Sequence, residues 1–185
     1  MSYFAHAFKA VTRQHHKELR PVLSRFILPD SVVADVGGHS GQFAKLFAGL
    51  ATEGTVYTFE PGEYPRSILG LAVGIRRLSN ITIVAKGLGD TESQLALSTP
   101  IKAQGIMRFG LAHMGDDPDP DMNTNPGRTV ERRSESVEVT TLDRFALQVG
   151  LTRLDFLKAD IEGWEQRMLT GGKDTIARFR PVIYI

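Results

Sequence analysis

The chain has 185 residues, enough for one domain with a buried core, and its 42% apolar and 23% charged residues are those of an ordinary globular protein. Its 22 Lys and Arg against 21 Asp and Glu give a net charge of +1, so no global field marks a polyanion partner and nucleic acid is not expected. The absence of cysteine excludes disulfides, thiolate metal sites and cysteine nucleophiles and fits a reducing, cytoplasmic setting; no apolar run reaches membrane-spanning length and no signal peptide is visible, so no membrane partner is expected.

Residues 1–29 read as an N-terminal amphipathic helical segment. Phe4, Phe8, Val11, His15 and Leu19 fall at helical spacing, which predicts a helix over 4–20 whose apolar stripe packs on the domain, ended or kinked by Pro21. The basic residues Lys9, Arg13, Lys17, Arg20 and Arg25 are read as a solvated face. The main domain, 30–185, then alternates apolar strands with helices. Strands are predicted at 32–36, 55–59, 81–85, 154–159 and 181–185, and helices at 40–50, 64–78, 142–149 and 165–179, the last interrupted by Gly171-Gly172. This alternation predicts an α/β fold with a doubly wound, mainly parallel sheet covered on both faces, and ligands beyond the carboxyl ends of its strands. The stretch 91–140 breaks the pattern, with short added strands at 94–97 and 137–140. Between them, prolines, like charges and the Asp116–Asp121 cluster predict a mobile surface insertion near 105–135. EF-hand spacing is missing there, no ligand spacing elsewhere demands a metal, and none is expected.

The chemistry concentrates after the first strand, where Val32-Val33-Ala34-Asp35-Val36 runs into Gly37-Gly38-His39-Ser40-Gly41. Glycines there let backbone approach a ligand closely. A P-loop needs a Gly-Lys-Ser/Thr ending, which is absent; a dinucleotide fingerprint would need glycine where Val36 stands; a hydrolase elbow fails by one residue, because Gly41 rather than Gln42 follows Ser40. What remains, an acid two positions before a diglycine, suits a ligand that carries an amino-acid cation together with a nucleoside. Glu60 closes the second strand, where a carboxylate accepts both hydroxyls of a ribose; the alternative is an acid that caps the next helix. A third group, Lys158-Ala159-Asp160-Ile161-Glu162-Gly163-Trp164-Glu165, follows another apolar strand, so Asp160 and Glu162 are expected on the same edge. Asp160 is the first candidate for a base toward a hydroxyl and Glu162 the second, while Glu165 is read as favouring the dipole of the helix it begins. His39, within the turn, and His113, beside the insertion, are weaker candidates.

Together, residues 35–41, Phe59-Glu60-Pro61, Val139-Thr140-Thr141-Leu142-Asp143 and residues 158–165 resemble the FkbM family of S-adenosylmethionine-dependent methyltransferases, in order and spacing from about residue 30 to 185. The resemblance implies a class I, Rossmann-like methyltransferase fold, with seven strands of which the last is antiparallel. It implies S-adenosyl-L-methionine as cofactor, its methionine part lined by Asp35, Gly37, Gly38, His39, Ser40 and Gly41. Its ribose would be held by Glu60, its adenine flanked by Gly87 and Leu88, and its methyl group would lie near Asp160. The implied reaction is O-methylation of a hydroxyl on a sugar or natural product, that is, on a small-molecule or glycan acceptor. Gly38 departs from the alanine usual in the family, and Ile185 lies in what corresponds to the fifth core strand. The later strands are therefore expected to be missing, with association of copies through that strand's exposed edge. Two rival readings are a non-catalytic cofactor-binding or assembly module on the same fold, and an NAD-dependent oxidoreductase, which the missing first glycine disfavours.

Overall fold

A computed structural model describes residues 3–100, 113–114, 132–161 and 163–185. The predicted insertion lies largely outside the described residues, as does Glu162. The order of elements is α1 (Tyr3–Thr12), a 3-10 turn (Lys17–Leu19), α2 (Arg20–Leu23), β1 (Val32–Val36), α3 (Gln42–Ala48), β2 (Thr55–Phe59), α4 (Glu63–Ile75), β3 (Ile81–Val84), β4 (Gly87–Leu88), β5 (Ser93–Pro100), β6 (His113–Met114), β7 (Arg132–Thr140), α5 (Leu142–Gln148), β8 (Phe156–Ala159), α6 (Glu165–Gly171), α7 (Lys173–Phe179) and β9 (Val182–Tyr184).

Two sheets form. The main one has the order β3-β2-β1-β8-β9 and all its described pairings are parallel; the smaller has the order β4-β7-β5-β6, with β5 antiparallel to both neighbours. The strand order reverses beside β1, the switch point at which open α/β sheets form their ligand crevice. Parallel strands need helical crossovers, and these cover both faces. On one face Val33, Val56 and Phe156 pack with Ala44, Phe47 and Ile27. On the other, Ala34, Val36, Phe59 and Leu157 pack with Leu142, Phe145 and Met168. Beneath the sheet's opposite edge, Asp155 accepts from the Val32 amide at 2.7 Å and pairs with Arg153, which also reaches Asp30. The fifth strand of the sheet, β9, has exposed Val182, Ile183 and Tyr184.

The motif at 139–143 explains itself structurally. Thr141 is the N-cap of α5, its hydroxyl accepting from the Arg144 amide, and Asp143 accepts from the amides of Asp174 and Thr175 at the start of α7. The expected single helix over 165–179 is two, α6 and α7, parted at Gly171-Gly172 as the sequence reading anticipates.

The N-terminal segment corrects its prediction. Helix α1 ends at Thr12, well before Pro21, and Pro21 instead occupies the first turn of α2, where its missing N–H costs nothing. The predicted stripe packs only in part: Val11 and Leu19 lie partly buried against core clusters, but Phe4 is 83% and Phe8 70% exposed, while Ala7 and Ala10 are buried and Ala10 sits against Ile68 and Ala72 of α4. Small side chains let the two helices approach closely. Lys45 of α3 adds a polar anchor, donating to the carbonyls of Ala10 and Arg13. Gln42 fixes the chain beyond, its backbone carbonyl accepting from Gln14 and its side chain from the His15 amide.

Candidate functional site

Register places three residues abreast at the carboxyl edge. Val36 pairs with Phe59 on one side and Ala159 on the other, so the next residues, Glu60, Gly37 and Asp160, emerge from β2, β1 and β8 as neighbours. The turn between them is tightly built. The amides of Gly37 and Gly38 both donate to the Phe59 carbonyl at 3.0 Å, and Gly41 donates to Gly38 at 2.8 Å. Gly37 has φ +77°, and a Cβ there would meet the Asp160 carbonyl oxygen at 2.2 Å; at Gly38 it would meet Thr58 Cγ2 at 2.1 Å. Glycine is therefore favoured by packing at both positions, and at Gly37 by conformation as well. His39 also sits at positive φ, +47°, a region histidine tolerates better than most residues.

Glu60 is the most organised acid of the edge. One carboxylate oxygen accepts from the His39 amide at 2.7 Å and the other from the Gly62 amide at 2.9 Å. The residue is 7% exposed. Burial lifts its carboxyl to about 7, against the two amides that favour the ionised form. Each oxygen keeps a further lone pair, the acceptor capacity that a pair of ribose hydroxyls needs. The capping alternative also holds in part, since Gly62 is the N-cap of α4. The His39 ring is turned toward Ser40, its Nδ1 3.1 Å from the hydroxyl, and burial drives its pKa down to about 4, helped by the nearby charges of His6 and Lys158.

Asp35 is 0% exposed, beneath the turn, and the ammonium of Lys158 stands 3.4 Å from its Oδ1. Burial pushes its carboxyl up while Lys158 opposes the shift. Asp160, by contrast, has a side chain 72% exposed, with Lys158 4.0 Å away. Its loop is held by Glu165, whose carboxylate accepts from the amides of Ile161 at 3.0 Å and Gly163 at 2.9 Å. That role is more specific than the dipole effect expected of Glu165. Gly87 and Leu88 form β4, paired with Val139 and Thr140; both are buried, and Leu88 packs into the core near α5. Among the described residues no three His, Asp or Glu side chains gather as a metal-holding group, and no helix is long and apolar enough to cross a membrane.

Two elements outside the predicted site border it. The His6 ring of α1 lies 6.1 Å from that of His39 and 5.9 Å from Tyr64. From the small sheet, Glu135 accepts from the Glu63 amide, and Leu97, Val137 and Val139 pack with Trp164 beside the Asp160 loop. Lys158 is the residue to which the sequence reading gives no role. Its one-dimensional signal was a lysine inside an apolar strand, two positions before Asp160 and hence on the same sheet face.

Comparison with known proteins gives this edge its context. The profile of the methyltransferase FkbM domain matches residues 35–185. The chain is 24% identical over 162 residues to the 2-O-methyltransferase NoeI of Sinorhizobium fredii, covering 87% of this chain and 65% of that protein. It is 26% identical over 148 residues to Methyltransferase 1 of Beauveria bassiana, covering 78% and 59%. The chain thus spans less than two thirds of either relative. Among solved structures, the FkbM methyltransferase of Methylobacillus flagellatus KT superposes with a TM-score of 0.55 at 17% identity, over 84% of this chain and 32% of that one, a likeness of fold. With that profile spanning residues 35–185 and the parallel sheet formed as the resemblance implies, the chain belongs to the FkbM methyltransferase family.

Proposed function

We propose that this chain binds S-adenosylmethionine at the β1 turn and transfers its methyl group to a hydroxyl of a sugar or natural-product acceptor. The observation that carries the reading is the row Glu60, Gly37, Asp160 at the carboxyl edge of three adjacent strands. The buried carboxylate of Glu60 would hold the ribose hydroxyls. The turn at Gly37–Gly41 would admit the methionine part at backbone distance. The cofactor, when bound, supplies a methyl group already activated on a sulfonium. The protein's main task is then alignment of the acceptor oxygen. Asp160 is open to solvent on the β8 side, and would accept the proton of the acceptor hydroxyl. The name of the Sinorhizobium relative, a 2-O-methyltransferase, supports oxygen as the acceptor atom.

Calorimetry with S-adenosylhomocysteine tests the reading. Wild-type protein is expected to bind it, and Glu60→Ala to weaken binding about tenfold or more, since charge-assisted hydrogen bonds are lost. Asp160→Asn is expected to keep that affinity and lose methyl transfer across a panel of hydroxylated acceptors. A preference for NADH over S-adenosylhomocysteine overturns the proposal. Binding without turnover on any acceptor would favour a non-catalytic module.

A further inference from the structure

The Lys158 side chain is 2% exposed, in the middle of β8. Its ammonium donates to the carbonyl of Val36 at 3.2 Å and to that of Gly37 at 3.1 Å. The third proton of an ammonium is left for the Asp35 side, 3.4 Å away. The nitrogen also lies 5.1 Å from the centre of the Phe43 ring, in the first turn of α3. Among the described residues neither Asp35 oxygen has a hydrogen-bond partner. One buried cation thus meets the two carbonyls that enter the glycine turn, the acid beneath it and, at 4.0 Å, the acid at the tip of β8.

The peptide groups at Val36 and Gly37 are consequently held from both flanks. On the β2 side their N–H partners at Gly37 and Gly38 are bound to the Phe59 carbonyl, and on the β8 side their carbonyls are bound to Lys158. We propose that Lys158 is a positioning residue for cofactor binding: it braces the glycine turn from the β8 side, and so fixes the direction in which the turn presents its backbone to the methionine part of the ligand. This rests on the reading of the turn as an S-adenosylmethionine site. It differs from a merely structural role, in which Lys158 would serve only to neutralise the buried charge of Asp35.

The double variant Asp35→Asn with Lys158→Met separates the two roles, because it removes both buried charges together. Such paired replacement is commonly tolerated, whereas removal of one partner leaves an uncompensated charge. The experiment measures thermal unfolding and the affinity for S-adenosylhomocysteine side by side. The expected result is a folded, cooperatively unfolding variant of lowered unfolding temperature whose affinity is about tenfold or more weaker, from loss of the two charge-assisted bonds to the turn. A folded variant that binds as tightly as wild type overturns the proposal. Should the double variant not fold, the wild-type protein decides. A protected Lys158 ammonium resonance, seen with 15N-labelled lysine, is expected to shift on saturation with S-adenosylhomocysteine, and an unchanged resonance overturns the proposal. Failure of wild-type protein to bind S-adenosylhomocysteine at all marks a different failure, that of the methyltransferase reading itself.

Discussion

Glu60 and Asp160 stand at the tips of strands that flank the same glycine turn, yet their surroundings are opposite. Glu60 is enclosed and spends one lone pair of each oxygen on a backbone amide. Asp160 reaches into solvent on a loop whose ties run through Glu165. A group that grips a fixed part of a ligand gains from being immobilised before the ligand arrives, because less ordering remains to be done on binding. A group that must meet an incoming acceptor needs an open approach. The contrast therefore separates a pre-formed, enclosed side from an open, accessible side within one sheet edge; under the proposed function these would be the cofactor side and the transfer side.

The largest expected effect comes from crowding the boundary between the two sides. Gly37→Ala combines positive φ with a Cβ set against the Asp160 carbonyl, and is expected to cost roughly 2–4 kcal/mol in denaturant unfolding. The matching change on the open side, Gly163→Ala, meets only its φ of +96°, with nothing within 4 Å among the described residues, and is expected to cost about 1 kcal/mol. Equal costs would erase the distinction.

Next in size is the pH dependence of the enclosed acid. Burial raises the Glu60 carboxyl from 4.5 to about 7 in the folded protein. The folded state then holds this proton more tightly than the unfolded chain. The resulting contribution to stability is fully present below pH 4.5 and lost as pH rises through about 7. Relative to Glu60→Gln, wild-type protein is expected to lose on the order of 2 kcal/mol between pH 5 and pH 8. Its affinity for S-adenosylhomocysteine should tighten over the same interval, as the carboxylate forms. Parallel stability curves for the two proteins would show that Glu60 is not desolvated as described.

The smallest effect sharpens the open side. Glu165→Ala releases the amides of Ile161 and Gly163 and is expected to cost about 1–2 kcal/mol. Amide exchange should quicken around residue 161 while the Glu60 side is unaffected. Exchange that quickens equally at His39 and Gly62 would mean the two sides are mechanically one.

Much of the central sheet was legible because buried parallel strands are apolar runs closed by glycine or acid. The bounds expected for 32–36 and 55–59 agree with β1 and β2 residue for residue. Strands β4 and β6, of two residues each, carry no periodicity to detect. The stripe of α1 misled because spacing reports a helix but not which face its neighbour selects; there, alanines rather than phenylalanines make the contact. Within the site, Asp35 was visible as an acid near the end of a strand and Glu60 and Asp160 as acids just after strands, but burial is a three-dimensional property, and only the packed structure separates the acid under the turn from those beside it. Lys158 and Glu165 were hidden for a related reason. Their hydrogen bonds go to main-chain atoms, which leave no trace in the identity of the residues that bear them.

The lysine of α3 that clasps the end of α1 carries a practical consequence. The family profile begins at residue 35, and a version of the protein trimmed to that boundary would keep Lys45, 5% exposed, while discarding the carbonyls of Ala10 and Arg13 that receive its charge. The matched profile and the packed structure therefore have different N-terminal bounds in this chain, and residues 3–13 belong to the second.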